Sequence, residues 1–202
     1  MNARPLLLGL TGSIGMGKST TAGFFADAEI PVWDADAAVH RIYGPDGAGA
    51  DALRDIAPDA VKGGIVDRDT LRAAVAADPA LLSRVEARVH PLVAADRAAF
   101  IAKHDDADIL VFDIPILFET GADAWLDAVL VVTAPAETQR ARVMARPGMT
   151  GAVFERLLER QMPDAEKRAR ADHVIETDKG VEAARADVLS LIDRIRAGRR
   201  DA

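Results

Sequence analysis

Short apolar runs, three of them closed by glycine or aspartate, alternate along this chain with longer stretches in which apolar positions recur every three or four residues. Leu6, Leu7 and Leu8, continuing through Leu10, form the first run and lead into a glycine-rich turn. Ile30–Trp33, Ile109–Phe112, Val129–Thr133 and the pair Val174-Ile175 are the others. Near-continuous hydrophobicity over so few residues is what a parallel strand covered on both faces requires. Between these runs the spacing predicts helices at about 18–28, 35–43, 137–145, 153–161, 164–171 and 181–195. Phe24 and Phe25 serve the packed face of the first, and the last presents Val181, Ala184, Val188, Leu191, Ile192 and Ile195 on one side. Residues 196–202 are expected to fray. The alternation predicts an α/β fold of three layers with a mainly parallel five-stranded sheet.

One stretch breaks the alternation. After a turn at Gly44–Gly49, residues up to about His104 read as helical, at 50–56, 67–77 and 79–103, with Asp67 and Asp78 as N-terminal signals and Pro79 in a first turn. A span of this length without a strand exceeds a simple crossover, so a helical insertion over 44–104 is expected, able to grip an acceptor substrate. His90-Pro91 interrupts its longest helical pattern, which predicts a kink or two abutting helices. His90 reads either as a substrate contact or as support for that kink. The remaining assignments are a core of residues 1–43, 105–135 and 171–202, and a lid over 136–170.

The first strand-to-helix junction carries the strongest chemical signal. Gly12, Gly17, Lys18 and Ser19 satisfy G-x-x-x-x-G-K-[ST], with Ser13, Ile14, Gly15 and Met16 at the intervening positions and Thr20 following. Such a loop turns backbone N–H groups onto nucleotide phosphates, the lysine reaches the β- and γ-phosphates, and the hydroxyl serves Mg²⁺. The helix that follows adds its positive end. Asp34 closes the second apolar run, where parallel α/β folds place chemistry, and it is equally suited to capping the next helix. Asp113 closes the third run and has the form of a carboxylate that reaches Mg²⁺ directly or through water. Glu119, at the end of IPILFE, either meets substrate or caps a local turn.

Composition narrows the classes. The chain has 202 residues, half of them hydrophobic, and no cysteine, so no disulfide framework or thiolate chemistry is available. No apolar stretch is long enough for a membrane span or a secretion signal, and a cytoplasmic protein is expected. A net charge of −7 and 4% aromatic residues argue against a nucleic-acid partner. Against that acidic background, Glu137–Arg170 holds eight Arg or Lys and five Asp or Glu, a local balance of +3. Arg140, Arg142 and Arg146 precede the Pro147-Gly148 break, and Arg156, Arg160, Lys167, Arg168 and Arg170 follow it. Basic arms on both sides of a break suit a lid that closes over transferring phosphates and excludes water, while several of these residues must simply be solvated. Length, lid and insertion favour a small-molecule kinase. The guanine-reading N-K-x-D of a GTPase is absent.

Several pieces, in order, make the chain resemble the dephospho-coenzyme A kinases along essentially its whole length: GLTGSIGMGKST at 9–20, VWDADAAV at 32–39, HPLV at 90–93, VFDIPILFE at 111–119, QRARVMAR at 139–146 and RQMPDAEKRARADHVIET at 160–177. The resemblance implies a P-loop NTPase fold and ATP-dependent phosphorylation of the ribose 3′-hydroxyl of dephospho-coenzyme A, the final step of coenzyme A biosynthesis. It implies ATP held by Lys18 and residues 12–20, with Ser19 and Asp113 at Mg²⁺. Asp34 is implied to take or orient the acceptor proton, with His90 and Asp113 on the substrate side and Arg142 and Arg146 gripping phosphates. The last strand and its turn would contain adenine. His173 and Glu176-Thr177 depart from the family's common aromatic and Asp-Asn. The rival readings are a nucleoside or nucleotide monophosphate kinase and a nucleotide-dependent switch or assembly factor.

Overall fold

A computed structural model describes residues 4–200. Among them are strands β1 (Leu6–Thr11), β2 (Val32–Asp34), β3 (Val61–Lys62), β4 (Ile65–Val66), β5 (Ile109–Asp113), β6 (Ala128–Thr133) and β7 (His173–Glu176). The helices are α1 (Lys18–Asp27), α2 (Ala35–Tyr43), α3 (Gly49–Leu53), α4 (Arg68–Ala77), α5 (Ala80–Lys103), α6 (Ala136–Met144), α7 (Gly151–Leu158), α8 (Asp164–Arg170) and α9 (Val181–Arg200). Five strands form one sheet in the order β2-β5-β1-β6-β7, the expected doubly covered α/β architecture. β1 lies at its centre and pairs in parallel with β5 and β6, and β6 pairs in parallel with β7.

The chain divides into two compact units, residues 1–33 with 104–202 and residues 34–103. In the first, Leu8, Leu10, Ile109, Val111, Leu130 and Val132 are buried with Phe24 and Phe25 of α1 and Val188, Leu191 and Ile192 of α9. This two-sided burial is the reason the strands read as unbroken apolar runs. Val181, expected on the packed face of α9, is 59% exposed, because it opens the helix before its apolar face meets the sheet. α9 also runs through Arg200, where fraying was expected from 196; positions 201 and 202 lie outside the described residues.

The second unit buries Leu53, Ala60, Val66, Leu71, Leu81, Val85 and Val89 against one another. One sequence expectation is corrected here, and one of two alternatives is removed. The insertion does contain strands: β3 and β4 form an antiparallel hairpin with Val61 opposite Val66 and Lys62 opposite Ile65. Gly63 and Gly64 between them have φ of 59° and 80°, the left-handed pair that a two-residue hairpin turn demands. The helix expected over 50–56 correspondingly ends at Leu53. Nor does His90-Pro91 separate two helices, since α5 is continuous with Pro91 inside it. The bond that proline forfeits is outweighed by the buried row Leu81, Val85 and Val89 on the same helix.

Candidate active site

β1 delivers the chain directly into the glycine loop. Gly15 and Gly17 adopt φ of 81° and 89°, a backbone that side chains with a Cβ rarely take. At Gly15 an added Cβ would also come within 2.5 Å of Val143. Gly17 is the N-cap of α1 and makes no side-chain cap, in contrast with Asp34 on α2, Asp67 on α4 and Thr150 on α7. The first N–H groups of α1, around Lys18, Ser19 and Thr20, are thus left for an anion.

Beneath the loop, the Lys18 ammonium donates to Asp113 Oδ1. Asp113 is the last residue of β5 and is buried, and strands β5 and β1 pair side by side up to this point. A carboxylate in that setting demands a cation, and the pair holds Lys18 extended at the loop. Ser19 is exposed on the first turn of α1. The donor set is a carboxylate and a hydroxyl, the hard oxygen ligands that suit Mg²⁺.

The loop backbone is braced from several elements. Met16, expected to contribute only its backbone, is buried, and its Sδ accepts from Ala134 N at 3.1 Å. Ser13 is buried, and its carbonyl accepts from Met16 N at 3.1 Å. Ile14 has both backbone groups engaged: Gln139 Nε2 donates to its carbonyl at 2.8 Å, and its N–H donates to Gln161 Oε1 at 3.1 Å. Arg142 on α6 donates to Thr177 Oγ1 at 2.8 Å and to the Thr177 carbonyl at 2.6 Å, with Gly15 O at 3.5 Å. The buried Thr177 hydroxyl lies 2.9 Å from Met16 O. Sequence reasoning did not single out Gln139, Gln161 or Thr177 as site residues. Thr177 follows the last sheet strand, a position that could have marked it, whereas nothing local distinguishes the two glutamines.

A cleft of about 260 Å³ opens beside this arrangement. Gly15, Gly17, Thr20, Thr21 and Phe24 form one wall, Arg142 and Arg146 a second, and Thr177, Gly180, Val181 and Ala184 a third. Phe24 and Val181 give it apolar surface, which accounts for an exposed valine at the start of α9. His173 does not border the cleft; it lies at the start of β7, paired with Leu130, and partial burial lowers its pKa. A larger hollow of about 540 Å³ in the second unit is rimmed by Asp46 and Asp51 and is the wrong sign for phosphates.

The basic segment separates into distinct roles. Arg142 and Arg146 reach the cleft. Arg140 stacks over Phe154, and Arg170 lies 4.5 Å over Phe118 and pairs with Asp123 at 2.6 Å. Lys167 is fully buried, 2.9 Å from Glu119 Oε1, which also accepts from Met162 N at 2.7 Å. Burial alone would push the Glu119 carboxyl up, but Lys167 and the Met162 N–H outweigh it and leave the pKa below its ordinary value. Glu119 therefore ties this segment down. Asp34 caps α2, its Oδ1 accepting from Ala37 N at 2.8 Å, and is otherwise exposed. His90 is exposed on α5.

Comparison with known proteins gives a consistent result. A family profile described as dephospho-CoA kinase matches residues 6–183. A dephospho-CoA kinase of Cereibacter sphaeroides is 62% identical over 96% of this chain and 97% of its own length. One from Jannaschia is 55% identical over 95% and 97%. Among solved structures, a Thermus thermophilus protein superposes with a TM-score of 0.80 at 35% identity, covering 95% of this chain and 98% of its own. A Campylobacter jejuni dephospho-CoA kinase, at 22% identity and a TM-score of 0.67 over 96% and 98%, shares the fold.

Proposed function

The chain belongs to the dephospho-CoA kinase family, and from that premise we propose how its own residues divide an ATP-dependent phosphoryl transfer. The protein is a small-molecule kinase. Its acceptor is the ribose 3′-hydroxyl of dephospho-coenzyme A. The observation that carries the assignment of the donor site is the uncapped start of α1 above the buried Lys18–Asp113 pair.

ATP lies with its phosphates on the amides left open at the start of α1, around Lys18, Ser19 and Thr20, and its adenosine in the cleft bordered by Phe24, Arg142, Thr177 and Val181. Arg142 and Arg146 supply positive charge beside it, and 136–170 acts as the lid. Asp113 holds Lys18 before nucleotide arrives, so little reorganisation is needed when its ammonium meets the β- and γ-phosphates. Ser19 and Asp113 would hold Mg²⁺, which would neutralise charge on the phosphates.

In the transfer, the acceptor oxygen forms a bond to the γ-phosphorus as the bond from that phosphorus to the β–γ bridging oxygen breaks. The leaving electron pair goes to ADP, and the acceptor proton goes to Asp34. With Oδ1 of Asp34 engaged by Ala37 N, the other carboxylate oxygen is the one that takes the proton. An exposed carboxylate suffices, because proton removal is late in a loose transition state. The inserted unit receives the pantetheine-bearing acceptor, with His90 on its α5 surface.

The test is incubation with ATP, Mg²⁺ and dephospho-coenzyme A, followed by mass spectrometry that locates the added phosphate. Phosphate on the 3′ position of the ribose is expected. Phosphorylation of a nucleoside 5′ position instead, in a panel of acceptors, would overturn the acceptor assignment.

A further inference from the structure

Helix α6 before the Pro147-Gly148 break and the turn after α7 beyond it reach the glycine loop at the same residue, Ile14, through Gln139 and Gln161. A carboxamide carries one acceptor oxygen and a nitrogen with two N–H donors. The oxygen of Gln161 is engaged by the Ile14 N–H, and among the described residues nothing accepts from its nitrogen. The side chain is only partly buried, so that nitrogen is open to a ligand.

The backbone that carries Gln161 is fixed with unusual effort. Gln161 N donates to Leu158 O at 3.0 Å, and the next residue, Met162, donates to Glu119 Oε1. The fully buried Lys167 ammonium stands against that same oxygen. Burying a lysine carries a desolvation cost that exposed pairs avoid. Here it anchors the turn after α7 and so sets where the Gln161 side chain can go.

We propose that Gln161 is a further catalytic residue of the phosphoryl-transfer site, its oxygen held on the Ile14 N–H while its amide nitrogen donates to the γ-phosphoryl group of the bound triphosphate. The assignment rests on the glycine loop being the donor site, as argued above. Loop amides converge on phosphate, so a donor group anchored to one of them stands at the edge of the anion. An uncharged donor at the γ-phosphoryl serves the transition state, where charge spreads over its equatorial oxygens, and does nothing to retain ADP. Gln161 exchanges no proton in the step. The competing role is a latch on the empty loop that phosphate displaces, and the two differ in what they do to each nucleotide.

Gln161→Glu keeps an oxygen for Ile14 but replaces the N–H donors with a second carboxylate oxygen, and Gln161→Ala removes both. Binding of ADP and of a non-hydrolysable β,γ-imido ATP analogue is measured by calorimetry with Mg²⁺, alongside kcat and KM. Both variants should lose about 100-fold in kcat, as removal of one preorganised donor does. ADP affinity should stay within about threefold of wild type, while Gln161→Glu loses about tenfold or more for the analogue through like-charge repulsion. Equal changes in the two affinities, or turnover within about threefold of wild type, would make Gln161 a latch and overturn the proposal. Should Gln161→Glu not fold, Gln161→Ala decides on the same kcat-against-ADP criterion. If wild-type protein bound neither nucleotide, the donor-site reading itself would fall, an outcome distinct from the variants' failure.

Discussion

Both units of this chain carry exposed ion pairs, as at Arg185–Asp27 in the sheet-bearing one, but they differ in what they bury. In the sheet-bearing unit, carboxylates and ammonium groups are taken inside: Asp113 against Lys18, and Glu119 against a Lys167 with no exposed surface. In the inserted unit the ion pairs sit in solvent, as with Arg88–Asp55, Arg84–Asp78 and Arg72–Asp69. Its stability rests on the cluster around Leu53, Val66, Leu71 and Val85. Buried pairs are a poor way to gain stability, because desolvation cancels much of the attraction. Their placement under the glycine loop and beside the segment that touches it ties them to chemistry. Exposed pairs keep a surface soluble and contribute little.

Breaking the first buried pair tests that contrast most severely. Lys18→Ala should lower phosphoryl transfer about 10⁴-fold with any acceptor, as loss of a dedicated phosphate cation does; steady-state assays with dephospho-coenzyme A measure it. Asp34→Asn should lower kcat about 10³-fold while the Kd for ATP stays within about threefold, since the amide still caps α2 but accepts no proton. Calorimetry alongside turnover separates the two.

The second pair sharpens the comparison through stability. Glu119→Ala leaves Lys167 buried without its partner and should destabilise the fold by about 3 kcal/mol in urea titration, the lower end of the range because Glu119 keeps some solvent contact. Since Glu119 is held below its ordinary value of 4.5, its contribution is present above that pH and is lost as pH falls through the folded-state value. The wild-type and Glu119→Gln midpoints should therefore converge on acidification from pH 4.5. At the small end, Arg88→Ala in the inserted unit should change stability by no more than about 0.5 kcal/mol. A larger loss would mean that the exposed pairs of that unit are structural.

Much of the donor site was legible in the chain because its chemistry is local. A loop that needs left-handed backbone at Gly15 and Gly17 must spell those glycines, and a doubly covered strand must spell an apolar run such as Ile109–Phe112. The caps at Asp34 and Asp67 lie immediately before the helices they start. The hairpin at Val61–Val66 was legible too, in its Gly63-Gly64 turn, but a helical pattern on either side obscured it. Pro91 marked either a kink or a boundary between two helices, and the continuity of α5 removed the second.

The order of residues thus determined the fold class, the phosphate loop and the carboxylates that end the strands, since each is written into a few consecutive positions. Tertiary structure alone decided that Lys167 is buried and what braces the loop. Gln161 meets Ile14 across 147 positions and Thr177 meets Met16 across 161. Backbone preference acts over a turn or two of chain, whereas a hydrogen bond between distant segments exists only once the sheet has brought them together.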